Sequence, residues 1–513
     1  MKCAGTTAAL ASVGALTTDS AGAATKAPSL TELSATKLAA MIADGQVSAE
    51  EVAEAHLKRI EEVNPNLNAI VQMNAEQVRS GARQADKELR KGVSRGPLHG
   101  VPFTIKDCIS TKGIITTNGC PELREYIPKI DATVVKRLKK AGGILLGKTN
   151  VPEMCFGDTD NLVYGPTLNP YSHEHGPGGS SGGEAAIIAA GGSPFGIGTD
   201  IGGSIRSPAH CCGIAGLKPT NRLVPESGIL STFPLEVGGW NSVGPLARHA
   251  EDLYTVLQVI AGPDNVDSQT VPVPLHSPSS VAVERLRVAF FTDDGTSTPT
   301  AETLESVKRA VRALEASGVA LVKEDRPPAI SQAASLWIRA VIPQWATAMR
   351  YWQLEYATMG EADISEKRSP LTEFIFESLD MAYQNGNYGP DQKERNQREL
   401  HAFRAQMLQF FSSYDVLLSP VEAKPAAKLM TVDEVAQLPK RRFIPLLSEA
   451  MGGFYVTHNM TGWPAAVVRA GTSPEGLPIG VQIAAKPWHD HVAIAVAKLI
   501  EEELGGWQAP TGV

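Results

Sequence analysis

Six cysteines are all that this 513-residue chain carries: Cys3, Cys108, Cys120, Cys155, Cys211 and Cys212. They are too few and too irregular for a disulfide scaffold, and no pair has the C-x-x-C spacing of a zinc or redox site. Adjacent Cys211 and Cys212 cannot readily bridge each other, so these thiols read as small buried hydrophobes. Long hydrophobic runs are missing too. The mildly apolar stretch from Ala4 to Leu16 is too short, and too rich in Thr, Ser and Gly, to cross a bilayer. Followed by Ala21-Gly22-Ala23, it reads as an export-like leader without the paired arginines of the twin-arginine route, or as a disordered tail. Residues 1–28 are therefore set apart; the expected location is cytoplasmic, or periplasmic or secreted if the leader works. The formal net charge of -8 comes without a basic stripe. This argues against nucleic acid as a partner and gives no attraction to anionic membranes. No linker, charge block or repeat divides residues 29–513, which are expected to form one large core or a core with an insertion.

What is present is an ordinary globular composition, 43% hydrophobic and 20% charged. The 47 glycines exceed the average share of about 7% and concentrate between Gly176 and Gly203. A helix is expected over 34–43, with Leu38, Met41 and Ile42 on one face and Gly45 as its stop. Ser48 and Glu51 form a capping box for a second helix, which Asn64-Pro65 should end. A charged helix follows near 75–91. Residues 98–107 read as an apolar strand closing on Lys106-Asp107, 131–141 as a helix and 144–147 as a buried strand. Such alternation predicts an α/β protein whose sheet is covered by helices on both faces. In the region 330–445, Trp337, Trp345 and Trp352 recur at spacings that place them within about 80° on a helix. Pro343 should kink that helix. The stripe suits either a core face or a lid and pocket wall for an apolar substrate.

Two glycine-rich segments carry the chemistry: Gly176-Pro177-Gly178-Gly179-Ser180-Ser181-Gly182-Gly183-Glu184, and Gly196 through Asp200-Ile201-Gly202-Gly203-Ser204-Ile205-Arg206 to Pro208. The first fits G-x-S-x-G, but that nucleophile elbow must follow a strand and here follows the polar loop 171–175. The second resembles a dinucleotide loop, yet Pro208 and a second glycine pair oppose the long helix such a loop opens. An oxyanion site accounts for both segments better. Acyl transfer needs a nucleophile and several backbone N–H groups aimed at the developing oxyanion, and glycine lets the backbone approach a substrate closely. Ile201-Gly202-Gly203-Ser204 offers consecutive donors ending in a hydroxyl. A serine nucleophile needs a base. His173, His175 and His210 sit in no triad context, and His173 and His175 lack partners at metal-ligand spacing and read as loop histidines. Lys106 is the better candidate, because burial of a lysine disfavours its charged form; a snorkelling surface residue is its alternative reading.

Taken together these residues closely resemble the amidase signature family. Its hallmark is a G-G-S-S-G-G-type segment followed by a G-T-D-I-G-G-S-I-R-type segment, with a lysine upstream in a V-P-x-x-I/L-K-D strand. Ser180 and Ser204 stand 24 positions apart, as in the family pattern. The likeness continues through Lys148-Thr149-Asn150, residues 213–220, residues 242–248, Thr461-Gly462-Trp463-Pro464 and Pro478-Ile479-Gly480-Val481-Gln482. The resemblance implies a single α/β amidase-signature domain with a mixed sheet, needing neither metal nor cofactor. It makes Ser204 the nucleophile and Lys106 the base. Ser180, after a cis peptide bond, would relay the proton. The backbone of Ile201, Gly202 and Gly203 would form the oxyanion hole. Ser181, Asp200 and Arg206 would support these groups, and Met154 would line the acyl pocket. The implied reaction is amide hydrolysis through an acyl-enzyme, with carbamate (urethane) or ester hydrolysis as the alternative, on a small molecule and in a monomer or homodimer.

Glu184 and Ile201 resemble the fatty-acid amide and acetamidase branch, whereas the tRNA-linked branch usually has Ser and Thr there. Residues 221–225 also depart from that branch, which favours a free-standing hydrolase over an amidotransferase component. One departure from the family concerns Val468-Arg469-Ala470-Gly471, where relatives carry proline; this puts the wall beside the site in question. A retired, non-catalytic scaffold would have lost Lys106, Ser180 or Ser204, and all three are present.

Overall fold

Serine caps set the first two helix starts. In the computed structural model, which describes residues 28–230, 239–359, 369–386, 390–442 and 452–512, the export-like stretch and Cys3 lie outside the described residues. Ser34 accepts the Lys37 N–H at the start of α1 (Ala35–Ala43), and Leu38 and Ile42 face the core. Ser48 and Glu51 form the expected box at the start of α2 (Ala49–Leu67). That helix does not stop at Pro65. It continues to Leu67 and closes on Asn68 in the left-handed region at φ 51°. Proline is tolerated in this last turn because Asn64 secures the exit. Its Oδ1 accepts the N–H groups of Ala69 and Ile70, and its Nδ2 donates to Ile70 O. The chain thereby enters β1 (Ile70–Met73), followed by α3 (Ala75–Leu89).

The next elements are β2 (Pro102–Lys106), α4 (Thr133–Lys140), β3 (Ile144–Thr149), α5 (Gly182–Ala189), β4 (Phe195–Asp200), α6 (Arg206–Cys211), β5 (Ala215–Lys218), β6 (Ser242–Ala247) and α7 (Ala250–Ile260). Beyond them come β7 (Arg287–Phe290), α8 (Ala301–Ala316), β8 (Leu321–Glu324) and the long helix α9 (Ala333–Met359). The chain closes with α10 (Pro370–Asn385), α11 (Pro390–Phe411), β9 (Val416–Pro420), α12 (Val432–Ala436), α13 (Gly453–Thr461), β10 (Ala465–Thr472), β11 (Pro478–Ala485) and α14 (Asp490–Leu504).

The strands form one mixed sheet in the order β1-β3-β2-β4-β6-β5-β10-β11-β9-β7-β8. β2 runs parallel to β3 and β4, β7 runs parallel to β8 and β9, and the strands between are antiparallel. β2, β4, β6 and β11 are buried along their whole lengths, which requires cover on both faces. Helices α9 to α11 form a helical insert between β8 and β9 in sequence; α9 packs on α10 and α11, and α9 and α11 pack on α13. Pro343 lies inside α9, and Trp337, Trp345 and Trp352 are all buried. Trp337 and Trp345 meet edge to face at 5.3 Å.

On adjoining strands β2 and β4, the fully buried rings of Phe103 and Phe195 stack at 5.7 Å near the starts of those strands. Phe103→Ala should cost about 3–5 kcal/mol of stability in urea unfolding, because the sheet cannot collapse into the space left. A loss below about 1 kcal/mol would show that this pair does not hold the two strands together.

Candidate active site

Lys106 is the last residue of β2 and has no solvent exposure. Its Nζ donates to Ser180 Oγ at 2.7 Å and to Thr199 Oγ1 at 2.9 Å. Thr199 comes from the neighbouring strand β4, and Ser180 from the turn before α5, where the Gly179–Ser180 peptide bond is cis. Ser181, the residue before α5, donates its N–H to Ser204 O at 3.3 Å. This contact joins the two glycine-rich segments. Glycine is required where they pass the sheet: a Cβ on Gly198 would stand 2.7 Å from Ser181 Oγ, and one on Gly196 would overlap the Glu184 carboxylate.

Ser204 lies in the turn between β4 and α6, and Asp200 holds that turn. The Asp200 carboxylate accepts the N–H groups of Gly203 (2.9 Å) and Ile205 (3.2 Å), and the Arg206 guanidinium at 2.9 and 3.0 Å. Asn459 Nδ2 adds a further bond at 2.8 Å. Burial alone would raise the carboxyl, but the Arg206 charge and these donors outweigh it and hold Asp200 well below the usual carboxylate range. Arg206 extends the network to Tyr455 O, Gln482 Oε1 and Asn459 Oδ1, so α13 and β11 grip the same turn.

Ser180, Thr199 and Ser204 open into one cavity. Its remaining wall is largely apolar, with Met154, Phe156, Ile201, Ile229, Trp345 and Trp352, while Cys155 and Asn241 add small polar groups. Phe156 packs edge to face on Trp345 at 5.0 Å. Met154 and Cys155 both adopt left-handed backbone at φ 53° and 60°. For non-glycine residues this conformation costs roughly 1–3 kcal/mol each and persists only where the surroundings impose it.

An amidase family model matches residues 51–493. This chain belongs to the amidase family. Among curated relatives it is 35% identical to an acylamidase of Rhodococcus erythropolis over 91% of this chain and 95% of that one. It is also 34% identical to an indoleacetamide hydrolase of Bradyrhizobium diazoefficiens, over 92% and 86%. A glutamyl-tRNA(Gln) amidotransferase component from a Synechococcus strain matches at 35% identity, over 86% and 90%. Among solved structures, 6-aminohexanoate cyclic dimer hydrolase with bound substrate superposes at a TM-score of 0.81, with 26% identity, over 94% of this chain and 99% of that one.

Within this amidase fold Lys106, Ser180, Ser181, Asp200, Ser204 and Arg206 lie together, and Met154 lines the same cavity. Two findings go beyond the sequence. Thr199 is a hydrogen-bond partner of Lys106 that the motif alone does not single out. The Gly203 N–H, expected as an oxyanion donor, is committed to Asp200 Oδ1, because an aspartate three residues earlier closes the turn on it. Ile201 and Gly202 remain partly exposed at the turn, with Ile201 lining the cavity. Arg469, in the departing stretch, stands apart from the cavity wall; it is buried on β10 against Thr472 Oγ1 and the Tyr171 ring. The ligand atoms of His210, Cys211 and Glu422 converge within 4.8 Å. The imidazole, however, accepts the Gly480 N–H on Nδ1 (3.0 Å), leaving Nε2 to donate to Lys424 O (3.0 Å), so it offers a metal no lone pair.

Glu184, on the first turn of α5, is fully buried and accepts the hydroxyls of Thr104 on β2 and Thr149 on β3. Burial pushes its carboxyl up to about 7, against those bonds and nearby Lys106 and Lys148. The folded chain thus keeps a proton that the unfolded chain has lost. The stabilisation is full below the ordinary value of 4.5 and disappears as pH rises through about 7. Glu184→Gln cannot ionise and should flatten that part of the stability–pH profile in urea titrations; an unchanged slope would exclude Glu184 as its source.

Proposed function

We propose that this amidase cleaves its substrate with Ser204 as nucleophile, Ser180 as proton relay and Lys106 as base. The observation that carries this reading is a fully buried amine hydrogen-bonded at 2.7 Å to a hydroxyl of the cavity that also holds Ser204. With Lys106 neutral, its lone pair takes the Ser180 proton while Ser180 Oγ takes that of Ser204. Ser204 Oγ then bonds to the substrate carbonyl carbon, and the N–H groups of Ile201 and Gly202 receive the developing oxyanion. The C–N bond breaks as the proton returns through Ser180 to the leaving amine. Water entering by the same relay releases the acyl group from Ser204.

The apolar, tryptophan-bearing wall supports an apolar or aryl amide as substrate. Carbamates and esters pass through the same tetrahedral intermediate and are the competing substrate classes. The acylamidase relative, together with Glu184 and Ile201 where the tRNA-linked branch usually has Ser and Thr, favours a free-standing hydrolase over an amidotransferase component. The purified chain should therefore turn over without partner chains, and strict dependence on them would reverse that choice.

Anilides, aliphatic amides, carbamates and esters should be assayed with wild type and Ser204→Ala. Amide turnover should fall by roughly 10^4-fold or more in the variant, whereas undiminished turnover would refute Ser204 as nucleophile. Cleavage of p-nitrophenyl esters alone would make the chain an esterase in practice. Lys106→Ala should depress kcat most at low pH, where hydroxide cannot replace the missing base; a profile parallel to wild type would count against a lysine base.

A further inference from the structure

We propose that Glu153 is a positioning residue that ties the helical insert to the cavity wall and thereby sets which substrates fit. Glu153 is buried beside Met154, at the start of the wall segment that runs through Cys155 to Phe156. Its carboxylate accepts the Ser369 hydroxyl at 2.6 and 2.8 Å and the Thr372 hydroxyl as well. Ser369 is the N-cap of α10 and also accepts the Thr372 N–H at 3.0 Å, so one carboxylate holds the whole helix start. From the other side, Met154 N–H donates to Asn118 O at 3.0 Å, and Asn118 Nδ2 donates to Tyr356 OH on α9 at 3.1 Å. Gly119 permits this approach, since a Cβ there would stand 2.9 Å from the Pro152 and Glu153 backbone.

The left-handed Met154 and Cys155 are thus held between two anchors, each of which ends on the insert. Phe156 then packs on Trp345 of α9, which completes the wall from the opposite side. Burial pushes the Glu153 carboxyl up to about 7 against the two hydroxyl bonds, with Glu122 nearby raising it further. The carboxyl therefore needs hydroxyl donors at its tip, and α10 supplies them. A glutamine satisfies the same pair, because each hydroxyl can donate or accept. Alanine leaves the wall segment without its anchor.

The inference rests on Ser204 acting as nucleophile, and the experiment separates the two. Wild type, Glu153→Gln, Glu153→Ala and the milder Thr372→Val are titrated with a fluorophosphonate serine probe. KM and kcat per labelled site are then measured on a bulky anilide and on a small aliphatic amide. Glu153→Ala should raise KM for the anilide about tenfold or more, with kcat on the small amide within about threefold of wild type. Thr372→Val should shift KM the same way by a few-fold, and Glu153→Gln should restore the wild-type ratio. An unchanged ratio of the two KM values in both Glu153→Ala and Thr372→Val overturns the proposal. So does a uniform loss of kcat on both substrates, which would mark a merely structural residue. Failure of the probe to label Ser204 in wild type would instead overturn the nucleophile assignment.

Discussion

The buried pairing of Asp200 with Arg206 is the constraint on which the rest of the site depends. A fully desolvated carboxylate is stable only with full compensation, and here it receives backbone N–H groups, a guanidinium and an amide. Meeting that demand folds residues 200–206 into a single turn and fixes where Ser204 stands. Arg206 in turn needs acceptors, and it finds them on α13 and β11, more than two hundred residues later in sequence. The electrostatic requirement of one ion pair thus locks β11 and α13 to the turn that carries the Ser204 hydroxyl.

Lys106 presents a different arrangement. Its amine lies at the end of a fully buried strand, and its hydrogen bonds go to the hydroxyls of Ser180 and Thr199. Both partners are hydroxyls, which can accept from an ammonium or donate to an amine. Glu184, at the start of α5, instead accepts the hydroxyls of two threonines.

Local features are legible in the sequence because their determinants are local. The Ser48–Glu51 box, the strand ending at Lys106 and the glycine-rich turns all follow from residues a few positions apart. The role of Gly203 is open to the same logic, since Asp200 stands three positions before it, although the oxyanion pattern points to the glycine rather than to the aspartate. The end of α2 departs from the expected stop because Asn64 rescues the turn that contains Pro65. Thr199 and Glu153 are beyond the reach of sequence for a different reason. Strand alternation gives the face of a side chain but not what stands opposite, and the Glu153 partners lie 216 and 219 positions away.

This division has a chemical consequence. Lys106, Ser180, Thr199 and Ser204 all come from residues 106–206, and α13 and β11 hold the turn at Asp200 from outside that stretch. The helical insert adds Trp345 and Trp352 to the cavity wall and packs on that stretch through a few hydrogen bonds and aromatic edges. The insert also meets the turn at Asp200 through α13, on which α9 and α11 pack and whose Tyr455 and Asn459 hold Arg206. The glycine-rich segments identify the family, while the cavity wall draws on residues such as Trp345 and Trp352 that no short motif contains.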